Sequence, residues 1–189
     1  QKLSFKHLLT QVVFKAYAKD QTVANAWGDI QEIKITKISN VNPANKAVVT
    51  MSTGTAATGT GFTGSVTSFP VYQITGTTFT DTQFTGKSVA ITPTVSGSAV
   101  EVGYSMIAPF NIDGTNDDLE ITIQTVNSGG PVTLGIKLTT GVTPGDDMQG
   151  KKCVVRLHFK DNPGTNNNIL ATAIVEPWGN GGSNDVEVQ

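Results

Sequence analysis

The chain has 189 residues, of which 15% are charged and 38% hydrophobic, with a formal net charge of −2 and a single cysteine. The hydrophobic content excludes wholesale disorder, and the slightly acidic balance argues against a nucleic-acid partner, because phosphate binding needs a basic face. One cysteine allows no intrachain disulfide.

A chain of this size hides roughly 70% of its unfolded surface, enough for a real core. Abundant Gly and Thr suit β-structure rich in turns. No run of about 18 apolar residues is present, so no transmembrane helix is expected. A chain that starts at Gln1 without a visible signal peptide reads as a cytosolic protein, or as a mature form or fragment of a longer one.

Residues 2–18 alternate apolar and polar in two registers. The pattern slips at Leu8-Leu9, which predicts a bulge or corner near His7–Thr10. Beyond it, Val12, Phe14, Ala16 and Ala18 share one face, and Val13, Lys15 and Tyr17 the other. Asp20 to Asp29 reads as a connection with one helical turn, and Ile30 to Ile38 as the next strand. Lys46 to Met51 is a short strand. Residues 52–65 carry four glycines and almost no apolar anchor, so they read as an exposed loop.

Pro70 limits Phe69–Ile74 to an edge or irregular strand. Lys87 to Val95 is a strand ending near Pro93. Val100 to Phe110 alternates with Val100, Val102, Tyr104 and Met106 on one side, which places Tyr104 in the core. Asp117 to Val126 and Val132 to Leu138 follow, separated by Gly129-Gly130.

The clearest signal is the last hairpin, 151–178. In its first arm Cys153, Val155, Leu157 and Phe159 alternate with Lys152, Arg156, His158 and Lys160. A turn-rich loop leads to the apolar arm from Ile169, which stops at Pro177. Eight to ten strands with regularly spaced turns predict an all-β fold, an antiparallel β-sandwich of transthyretin-like or Greek-key type. Residues 1–178 read as one sandwich domain, and 179–189 as a polar tail.

No catalytic constellation emerges, and the chain is expected not to be an enzyme. One Cys and two His cannot assemble a zinc site, and no cofactor is expected. Asp113–Asp118 and Gly145–Asp147 read as solvated turns rather than calcium loops. Gly59, Gly61 and Gly64 form a G-x-G-x-x-G that opens no helix. Glu101 and Glu120 are carboxylates without a cleft to share. Cys153 reads as a small buried hydrophobe. Trp27, Trp178, Tyr17, Tyr72 and Tyr104 are the aromatics available for stacking on a sugar. Trp27, in a connection, and Trp178, at a strand end, are the best placed of them, for a ligand or for packing at the sandwich edge.

Several of these segments resemble one family. L-S-F-K-H-L-L-T-Q-V-V-F (3–14), Met106-Ile-Ala-Pro109, the strand at 149–157 and the ending Ala173-Ile-Val-Glu-Pro-Trp178 resemble, in order and spacing, the second half of fimbrillin-like proteins of Bacteroidota. Cys153 stands where that family usually has Tyr. The resemblance implies a structural and adhesive pilus subunit, exported as an outer-membrane lipoprotein and located on the cell surface. Its partners would be other pilin subunits, with a host or bacterial surface glycan or protein as a further contact. Subunits of that family join when a strand from one fills a groove in the next. The candidate donor here is the C-terminal segment carrying Ile169, Ala171, Ala173, Val175, Val186 and Val188. A glycan- or ligand-binding surface lipoprotein is the alternative.

Overall fold

The structure, a computed structural model, describes residues 9–38, 49–50, 55–56, 68–75, 77–84, 88–164 and 168–178. Two sheets pack face to face. The elements in chain order are β1 (Thr10–Ala18), α1 (Gln21–Trp27), β2 (Ile30–Ile38), β3 (Val49–Thr50), β4 (Thr55–Ala56), β5 (Phe69–Pro70), β6 (Tyr72–Thr75) and β7 (Thr78–Gln83). After a 3₁₀ turn at Ser96–Ser98 come β8 (Val100–Ile107), β9 (Leu119–Thr125), β10 (Val132–Ile136), β11 (Lys151–Phe159) and β12 (Ile169–Pro177). One sheet runs β12-β11-β1-β8-β6-β7 and the other β10-β9-β2-β5, while β3 and β4 pair by themselves. This is the all-β sandwich that the alternation implies.

The inner faces supply the core. β1 contributes Val12, Phe14, Ala16 and Ala18, and β11 contributes Cys153, Val155, Leu157 and Phe159. Opposite them stand Ile33 and Ile35 of β2 and Leu119, Ile121 and Ile123 of β9. All are essentially removed from water, and the Val, Leu, Ile and Phe side chains among them contribute about 1.5–3 kcal/mol each when fully buried. The central ladder is parallel: β1 runs alongside β11 from Gln11↔Lys152 to Ala18↔Phe159. A parallel pair needs a long crossover, and nearly the whole chain between the two strands supplies it.

Several local expectations change. The connection after β1 holds a helix of two turns. Asp20 caps it by accepting the Val23 N–H at 2.9 Å, and Gly28, at φ 69°, ends it. The apolar segment at 69–74 divides at Val71. β5 pairs with β2 through Ile35↔Phe69 and Lys34↔Pro70, whereas β6 pairs with β8 in the other sheet. Pro70 cannot donate to a ladder, and the chain changes sheets just after it.

The strand expected at 87–95 is reduced, over its described part, to isolated bridges of Val89 with Ile30 and Pro93 with Ala18. β7, T-F-T-D-T-Q, had no apolar alternation to reveal it. The slip expected at His7–Thr10 falls mainly outside the described residues. Within them, β1 meets β8 with a register shift: Phe14 pairs with Gly103 and Lys15 with Glu101. Val102 is the extra residue. Beyond it the faces exchange, so Gly103 points inward and Tyr104 outward, not into the core.

Of the glycine-rich segment at 52–65, only Thr55–Ala56 is described, paired with β3. Gly59, Gly61 and Gly64 lie outside the described residues.

Candidate functional site

Among the described residues, polar groups suited to chemistry are dispersed. No three His, Cys, Asp or Glu among the described residues cluster to hold a metal. Glu101 and Glu120 lie on different sheets. Glu101 pairs with Lys15 at 3.2 Å, and Glu120 accepts the Thr36 hydroxyl at 2.9 Å.

Asp113 closes its own turn by accepting the N–H groups of Thr115 and Asn116 at 3.0 and 3.1 Å. Asp118 is fully buried. One of its oxygens accepts the Asp113 N–H and the other the Leu138 N–H, both at 2.8 Å, so the carboxylate clasps two loops. The Thr143 N–H, donated at 3.0 Å, is the main cause holding the Asp146 carboxyl below its usual range, with Lys151 assisting.

Cys153 is buried in the sheet, and that burial, with the Asp118 charge as a lesser cause, pushes its thiol up to about 12. A thiol held protonated is no nucleophile at neutral pH. On the opposite face of β11, His158 stacks on Tyr17, with ring centroids 4.4 Å apart and planes 10° from parallel. Partial burial, then the nearby Lys160, lowers its pKa, so the imidazole is neutral at pH 7. Arg156, the one arginine, has its Nε buried without a hydrogen-bond partner.

The two tryptophans differ. Trp27 ends α1 and is 1% exposed. Its indole N–H donates to the Asp161 carbonyl at 2.7 Å, and its ring meets Phe159 edge to face at 5.2 Å. No sugar can stack on it, because α1 turns the side chain inward, where it closes one end of the core. Trp178 is half-buried just past β12, its backbone N–H donating to Gly150 at 3.2 Å.

The C-terminal segment forms the edge of the larger sheet. β12 pairs with β11 along its whole length, from Ile169↔Phe159 to Pro177↔Lys151. Ile169, Ala173 and Val175 are buried and Ala171 is half-buried, while Val186 and Val188 lie outside the described residues. On the side away from β11, the Val175 N–H donates to the Thr140 carbonyl at 3.0 Å. Alternate residues of a strand direct their backbone groups the same way, so Ile169, Ala171 and Ala173 also turn N–H and C=O outward. Among the described residues nothing else bonds to that stretch, which leaves an open edge.

No curated protein matches the sequence. The model of the fimbrillin-like family matches residues 1–178, and the chain, a sandwich with an open edge formed by its last described strand, belongs to that family of pilus subunits found at the cell surface.

Proposed function

We propose that this chain is an adhesive pilus subunit that joins its neighbours by exchanging the C-terminal segment: β12 with Ile169, Ala171, Ala173 and Val175, extended by Val186 and Val188. Residues 1–178 act as one sandwich domain in this reading. The full protein is exported as an outer-membrane lipoprotein of a member of the Bacteroidota.

The observation that carries the reading is the position of β12. It is the last described strand, it lies at a sheet edge, and among the described strands it pairs with β11 along its length, with one further bond on its outer side, from Val175 to Thr140. An identical strand from a neighbour reproduces every one of those contacts, so exchange conserves the buried apolar surface and the ladder while linking two chains. The unpaired backbone at Ile169–Ala173 also gives a further strand a place to add.

A synthetic peptide of residues 168–178 tests the reading. Added during assembly, it is expected to occupy the acceptor and shorten the polymers. Polymers of unchanged length at saturating peptide would contradict it. Contact with a surface glycan is the second reading, favoured by outward-facing aromatic rings on the larger sheet.

A further inference from the structure

The strand at the other end of the larger sheet among the described residues, β7, is polar along its length except for Phe79, which is 49% exposed. It is the one aromatic among the exposed large hydrophobics of the described residues. Phe79 meets Tyr104 edge to face, centroids 4.9 Å apart at 78°, and Tyr104 meets Tyr72 at 5.7 Å and 35°. The three rings form a row on the outer face. Tyr104 is locked in place because its hydroxyl donates to the Thr80 carbonyl at 2.8 Å.

Two polar side chains flank the row. Thr80, Thr82 and Phe84 turn toward the interior, so the alternate positions Asp81 and Gln83 share the outer face with Phe79, and Gln83 stands directly across from Tyr72.

We propose that this face binds a neutral glycan, with sugar rings lying on Tyr72, Phe79 and Tyr104 and hydroxyls taken by Asp81 and Gln83. The C–H groups of a sugar ring suit the negative face of an aromatic ring. A carboxylate accepts hydroxyl donors strongly, and an amide both donates and accepts. Charge decides between sugar classes. Lys15 of β1, in the same sheet, is engaged by Glu101, and Asp81 makes no ion pair among the described residues, so an acidic sugar would meet an uncompensated negative charge. Mutual packing accounts for the contact of Tyr104 with Phe79 but leaves half of Phe79 in water.

The proposal rests on the second, adhesive reading and is independent of strand exchange, so its test uses the monomeric chain. The chain is applied to an array of immobilised oligosaccharides, with neutral hexose and N-acetylhexosamine chains beside sialylated and sulfated ones. Binding to a neutral chain is then titrated in solution. Saturable binding to a neutral class is expected. Phe79→Ala is expected to weaken it about tenfold or more, as loss of one aromatic contact implies, with thermal stability nearly unchanged. Asp81→Asn is expected to weaken it severalfold. The proposal is overturned if no neutral chain is retained, if only acidic chains are, or if Phe79→Ala binds as tightly as the unaltered chain. It is equally overturned if the variant loses self-association where no glycan is bound, since the face would then contact a second copy.

Discussion

Tyr104 reaches across from β8 to donate its hydroxyl to the Thr80 carbonyl of β7, 2.8 Å away, although the two strands are not neighbours in the sheet. The bond depends on the bulge at Val102, which turns Tyr104 outward and packs Gly103 against the core. Tyr104→Phe keeps the ring and removes the bond, and is expected to cost about 1 kcal/mol, read as a lower denaturant midpoint. Gly103→Ala is expected to cost more, roughly 1–3 kcal/mol. A Cβ there would stand 2.7 Å from both Phe84 and Val71.

Trp27 anchors α1 to the sandwich. Trp27→Ala is expected to destabilise the fold by roughly 3–5 kcal/mol, the cost of a large buried aromatic. Trp27→Phe is expected to recover part of that and to leave the Asp161 carbonyl without its donor. Chemical denaturation of both variants checks the order.

Gly141 holds the loop beside β12. Its φ is 80°, and a Cβ there would collide with the Val175 carbonyl oxygen. Gly141→Ala is expected to break the Thr140–Val175 bond and free the C-terminal end of β12 on its outer side. Hydrogen exchange at Val175 checks this: faster exchange than in the unaltered chain is expected, with little change at Leu157 in the sheet centre.

Cys153 gives a pH signature. Burial raises its thiol from an ordinary 9.0 to about 12, so the unfolded chain releases its proton before the folded one does. The associated stability is complete below the ordinary value and is lost as pH climbs from 9.0 towards 12. The same shift leaves about a thousandfold less thiolate in the folded chain at pH 8. Labelling by a thiol reagent is therefore expected to follow unfolding, and Cys153→Ala is expected to flatten the alkaline loss of stability.

His158 acts in the acid range with the opposite slope. Its lowered folded pKa means that the unfolded chain takes up a proton first as pH falls through the ordinary histidine value of 6.5. Stability is expected to decline from there down to the folded pKa and then to level off in this contribution. His158→Phe, which can keep the stacking on Tyr17, is expected to remove that decline in a series of denaturation curves across the acid range.

The sequence disclosed the elements whose burial is one-sided and regular. β11 alternates without interruption, β2 returns Ile30, Ile33, Ile35 and Ile38 to the core across two register shifts, and β12 is an apolar run, so their limits can be read directly from Lys151–Phe159, Ile30–Ile38 and Ile169–Pro177. The face of Tyr104 was hidden because one extra residue reverses alternation, and nothing local marks Val102 as the extra one. β7 was hidden because both of its faces are polar apart from Phe79, with Thr80 and Thr82 turned inward and Asp81 and Gln83 outward. The side that Trp27 faces was left open for another reason: a two-turn helix capped by Asp20 gives too short a pattern to reveal which side is inward. The terminal strand was visible as a strand. Its edge position depends on β1 and β11 pairing across most of the chain, which no short window records.

Exchange of β12 is tested most directly by a disulfide between Lys152 and Glu176, which face each other across the β11–β12 ladder. Paired residues at this spacing suit a disulfide, and the buried Cys153 does not compete for it. Lys152→Cys and Glu176→Cys placed in one chain are expected to form an intrachain bond in the monomer. Placed in separate chains that are mixed and allowed to assemble, they are expected to form a bond joining the two chains, at a yield that rises with polymer length. Polymers that grow normally from the mixture without any bond between chains would contradict exchange of this strand.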